Sequence, residues 1–155
     1  MSQPSVIVDR SKLPALRAVP PFALPAITKS TLGNGLRVWT ARHAVVPMTG
    51  LLLLVRRGSS SDPAGREGLA AITADMLDEG VGSLSAIDLH EQLARIGAQL
   101  DTDVGADATL VGLTSLSRFT DRALAFLADL VVRPALRDDD FLHGLPGRMH
   151  EDQGV

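Results

Sequence analysis

Apolar positions change their period several times along this chain of 155 residues, and each change marks an expected element. Leu32-Gly33-Asn34-Gly35-Leu36-Arg37-Val38 places Asn-Gly between two strand-like runs, the strongest short hairpin signal a sequence carries. Order is expected from about Ile27. The second strand alternates Leu36, Val38 and Thr40 against Arg37, Trp39 and Ala41, which predicts one buried face. Met48 to Val55 is almost unbroken apolar sequence of strand length, most simply a strand covered on both faces.

Residues 58–66 are rich in turn formers and read as a loop. Leu69, Ile72, Thr73, Met76 and Leu77 then recur at three- and four-residue spacing, predicting a helix over 66–79 with Gly80 as its C-cap. A second helix is expected over 85–97. Ser85 is its N-cap, with Asp88 where a capping box prefers Glu or Gln. Its inner stripe is Ile87, Leu89, His90, Leu93 and Ile96. Strands follow at 98–104 and 107–116, joined by Gly105-Ala106. A third helix spans 119–133, with Phe119, Ala123, Phe126, Leu127 and Leu130 inward, and stops before Pro134. Asp138-Asp139-Asp140 opens a fourth. Strands and helices come in blocks, so the expected class is α+β, with helices packed on one face of a mainly antiparallel sheet.

Pro14, Pro20, Pro21 and Pro25 make residues 1–27 an N-terminal arm, leaving 28–142 as the domain and 143–155 as a poorly ordered tail. Gly144, Pro146 and Gly147 all oppose a helix in that tail. Composition narrows the function. The chain is 45% apolar and 21% charged with net charge −3, as in one ordinary globular domain. It has no cysteine, which excludes disulfides, thiolate metal sites and cysteine nucleophiles. Its basic residues are scattered and its aromatics are 3%, against a nucleic-acid partner. Leu51 to Val55 is far shorter than the roughly 20 apolar residues of a membrane span. Residues 1–15 carry Asp9, Arg10 and Lys12 and no apolar core, so no classical signal peptide is visible and the compartment stays open.

Most candidate chemistry favours the plain reading. Asp101, Asp103 and Asp107 mimic a calcium loop, but the glycine falls at position five and Gly112 replaces the bidentate Glu. Alternate carboxylates on a strand mark its solvent face. Gly58 to Gly65 lacks the Gly-Lys-Ser/Thr ending of a phosphate loop. Ser59, Ser60 and Ser61 are not in Gly-x-Ser-x-Gly. Among His43, His90, His143 and His150 no two stand three or four residues apart, so no helix presents a two-histidine metal face. His90, beside Leu89 and Leu93, is expected to be a partly buried packing residue.

Local patterns from Thr31 to Phe141 resemble, in order, the first half-domain of the insulinase/pitrilysin metallopeptidases, which include the mitochondrial processing peptidase subunits. They are the hairpin 32–38, Gly58-Ser59 with Asp62-Pro63-Ala64-Gly65 and Gly68-Leu69-Ala70, and Met76-Leu77-Asp78-Glu79-Gly80. Further on come Leu93-x-x-x-Gly97-Ala98, Asp107-Ala108-Thr109, Leu127-Ala128-Asp129, Arg133-Pro134 and Asp140-Phe141. Active relatives carry His-x-x-Glu-His, in which two imidazoles one turn apart bind zinc and the Glu activates its water. Here those positions are Ala71, Ala74 and Asp75. The third, carboxylate ligand would fall near His150-Glu151-Asp152.

The resemblance therefore implies a non-catalytic homologue with no catalytic residues, no metal and no cofactor. It would act as a peptide-binding or partner subunit beside a catalytically active family subunit and take extended peptides. The fold it implies resembles a truncated half-domain of the family, and the alternatives for function are a defective gene fragment without activity and a peptidase using other residues. Bacterial relatives are often periplasmic.

Overall fold

The computed structural model describes residues 23–43 and 45–141. The tail at 143–155 and all but the last residues of the arm lie outside them. The chain divides into two compact units between Ala44 and Val45.

The first unit holds the expected hairpin, strands β1 (Ile27–Thr31) and β2 (Arg37–Ala41), antiparallel with Ile27 opposite Ala41 and Thr31 opposite Arg37. Asn34-Gly35 does turn the chain. Leu32 N donates to Leu36 O and Gly35 N to Leu32 O, and Gly35 takes φ +87, the left-handed residue of a three-residue turn. The predicted buried face is not there: every residue of β1 is exposed, and in β2 only Val38 is half-buried. Trp39 is 62% exposed and stacks under the Lys29 ammonium, 4.3 Å from the ring centroid, so an aromatic on a strand has found a cation in place of a core.

The second unit is built on an antiparallel sheet ordered β3–β7–β6, from β3 (Met48–Val55), β6 (Gln99–Val104) and β7 (Thr109–Leu116). The hairpin strands form a sheet of their own, not part of this one. In the central strand Val111, Leu113 and Ser115 are buried, flanked by Leu51 and Leu53 on β3 and Leu100 on β6. Among the described residues, helices cover this face alone. In α2 (Ala86–Arg95) Leu89 and Leu93 are buried, and Ile96 follows at its C-cap. In α3 (Thr120–Val132) Ala123, Leu127 and Leu130 are buried, with Phe119 and Phe126 packed at the margin as their spacing predicts. Residues 138–141 begin the expected further helix.

Among the described residues nothing covers the opposite face. Met48, Leu52 and Leu54 are 54%, 68% and 56% exposed, so β3 is not covered on both faces as its unbroken apolar run predicts. Its Leu residues alternate between core and solvent because no described element packs on the second face. Two further differences concern short elements. The helix expected over 66–79 is α1 (Leu69–Asp75) followed by a 3-10 turn, Met76–Asp78. Gly80 opens a two-residue strand, β4 (Gly80–Val81), that pairs with β5 (Leu84–Ser85). Ala135 N donates to Gly80 O and Gly82 N to Arg133 O, which ties the Arg133-Pro134 exit of α3 to this small hairpin.

Candidate functional site

Helix α1 carries the motif positions, and three local devices hold its start. Gly68 adopts φ +94, a left-handed conformation that stops the helix extending back to Arg66. Asp62 reaches across: its Oδ2 accepts from Gly68 N at 2.8 Å and its Oδ1 from Ala70 N at 3.0 Å. Two N-terminal amides that the helix cannot satisfy internally are thus satisfied by one carboxylate. Upstream, Ser59 N donates to Gly105 O and Ser60 N to Ala106 O, both at 3.0 Å, and Ser60 Oγ donates to Ala106 O at 2.7 Å. These serines serve as fasteners to the β6–β7 turn. Gly58 is buried against the same turn, where a Cβ would run into the carbonyl oxygens of Gly105 and Ala106.

Ala74 is 4% exposed and faces the core; Ala71 and Asp75 are half-buried. Neither alanine side chain has a lone pair, so α1 cannot present the paired ligands that a His-x-x-Glu-His zinc site needs. These residues do not fit the metal. Among the described residues no three His, Cys, Asp or Glu side chains converge to hold an ion. His150 and Glu151 lie outside the described residues.

What stands beside the motif is a groove of about 300 Å3 between the end of α1 and β6, lined by Asp75, Asp78, Glu79, Leu100, Asp101 and Thr102. Of the motif positions only Asp75 lines it. Four carboxylates against Leu100 and Thr102 give it a negative wall. β6 pairs with β7 on one side only among the described residues, so its outer edge borders the groove. Asp101 and Asp103 do lie on the exposed side of β6, as their alternation predicts, but Asp101 also joins the groove. A signal for the remaining carboxylates was present: Asp75, Asp78 and Glu79 stand at i, i+3 and i+4 and share one helical face.

His90 is not a packing residue. Its side chain is 56% exposed with Nε2 4.0 Å from Asp78 Oδ2, and its neighbour Ile87 is 73% exposed. The inward stripe of α2 is Leu89, Leu93 and Ile96 without them. His43 is exposed in the segment after β2. Asp88 completes a capping box despite being shorter than Glu: Asp88 N donates to Ser85 Oγ at 3.2 Å and Ser85 N donates to Asp88 Oδ2 at 3.4 Å, with the Ser85 hydroxyl also donating to Oδ2 at 2.7 Å. The Ser85 hydroxyl and then its amide hold the Asp88 carboxyl below the usual carboxylate range. The Gly65 amide, and secondarily Glu67's own, lower that of Glu67 at the loop before α1.

A three-stranded antiparallel sheet with helices on one face, its edge strand lying beside a short helix, makes this an α+β fold. The profile of insulinase (peptidase family M16) matches residues 37–143, more than half of the sequence, and the chain belongs to this family. It is 28% identical over 111 residues to an uncharacterized zinc protease of Rickettsia bellii, covering 72% of this chain and 27% of that protein. It is 27% identical over 114 residues to the probable mitochondrial-processing peptidase subunit beta of Schizosaccharomyces pombe, covering 74% of this chain and 25% of that one. Among solved structures it resembles the peptidase M16 inactive domain from Pseudomonas fluorescens, with TM-score 0.71, 27% identity, and coverage of 76% of this chain and 29% of the other. A Helicobacter pylori protease shares the fold at TM-score 0.69 and 22% identity, covering 77% of this chain and 29% of that one. The chain thus spans between a quarter and three tenths of these relatives' length. No helix among the described residues is long and apolar enough to cross a membrane.

Proposed function

We propose that this chain is a non-catalytic member of the insulinase family that binds extended peptides and works beside a catalytically active family subunit. The observation that carries the reading is the pairing of Ala71 and Ala74, which offer zinc no donor, with a β6 edge that is unpaired among the described residues and lies along the groove. Loss of the metal ligands removes hydrolysis but leaves the backbone donors and acceptors of an edge strand, and these are what an extended peptide uses when it adds a strand to a sheet. Asp75, Asp78, Glu79 and Asp101 favour a segment that carries Lys or Arg. Similarity to an M16 domain named as inactive supports the first half of the reading. The name of the Schizosaccharomyces relative as a subunit supports the second.

The test incubates the purified chain with fluorescein-labelled extended peptides, basic and acidic, in the presence of zinc. Anisotropy reads binding and mass spectrometry reads cleavage. Saturable binding of the basic peptide without cleavage is expected, weakened at least tenfold in Asp78→Lys/Asp101→Lys with its circular dichroism unchanged. Zinc-dependent cleavage would overturn the non-catalytic reading. Absence of binding to any peptide would leave the chain as a remnant without activity.

A further inference from the structure

We draw no further inference here: the strongest candidate, the carboxylate-lined groove between the end of α1 and β6, belongs to the site already described, and no second feature among the described residues adds a ligand to that acidic cluster.

Discussion

Replacing Asp62 by Ala should loosen the start of α1 more than any other single change on the surface of the second unit. The carboxylate accepts from Gly68 N at 2.8 Å and Ala70 N at 3.0 Å, and the substitution leaves both amides without that partner. Hydrogen bonds to a charged acceptor contribute about 1.5–3 kcal/mol each when protected from water. Asp62 is half-buried, so water recovers part of this. Loss of a helix cap costs roughly 0.5–2 kcal/mol, and two amides served by one side chain place the expected loss near the top of that range, about 2 kcal/mol. With a urea slope of about 1–3 kcal/mol per molar, the unfolding midpoint should fall by roughly 1 M. Asp62→Asn keeps one carbonyl acceptor and should lose about half as much. Hydrogen exchange resolves the cause, because the amides of Gly68 and Ala70 should speed up in Asp62→Ala while those of α3 follow only the global change. An Asp62→Ala midpoint equal to wild type, or Gly68 and Ala70 amides as slow as before, would refute the capping role.

Gly58→Ala should destabilise by about 2–4 kcal/mol in urea unfolding. The new Cβ drives residues 58–60 off the β6–β7 turn and breaks three hydrogen bonds that contribute roughly 1 kcal/mol each. Gly33→Ala, with open space around it, is the neutral control. Leu113→Ala, at a fully buried position in the central strand, should cost about 2–5 kcal/mol, whereas Leu52→Ser on the bare face of β3 should change stability by less than about 0.5 kcal/mol. A large loss from Leu52→Ser would mean that something covers that face. Acid should fray α2 at its start. The folded Asp88 carboxyl lies below its unfolded value, so the folded state binds fewer protons and the stabilisation is complete above the ordinary carboxylate pKa of about 4. It is lost as pH falls through the lower, folded value. Protection of the Asp88 amide, taken relative to the intrinsic exchange rate at each pH, should fall between pH 7 and 3, and Asp88→Ala should remove this local part of the acid dependence while leaving that of Glu67.

How much of this was legible in the sequence depends on whether a pattern had a partner to enforce it. The stripe of α3 and the capping serine of α2 were readable because spacing and local hydrogen bonding decide them. The small β4–β5 hairpin was not, since two-residue strands have no period to detect. The apolar run of β3 reports how hydrophobic both faces are, and not what lies against them; Leu52 and Leu54 are apolar and exposed all the same. His90 follows Leu89 by about 100° around the helix, enough to leave the core stripe and turn towards Asp78. The alanines of the motif could be read directly from the family resemblance. The carboxylates of the groove come from α1, the turn that follows it and β6, and only Asp75, Asp78 and Glu79 had a helical spacing to reveal them.

The seam between Ser59-Ser60 and the β6–β7 turn sets a limit on how this chain can change in length. Residues 105–107 are an exposed loop tip, the kind of place where insertions are ordinarily absorbed. Here the carbonyls of Gly105 and Ala106 are already taken by the segment that leads, through Asp62, into α1. An extra residue in the tip would shift those carbonyls by about 3.3 Å, the rise of one extended residue, and carry the disturbance to the helix beside the groove. The turn at 33–35, where nothing lies within 4 Å of a side chain built on Gly33 or Gly35, has no such dependant. Epitope tags and inserted domains therefore belong in the hairpin turn rather than in the 105–107 tip.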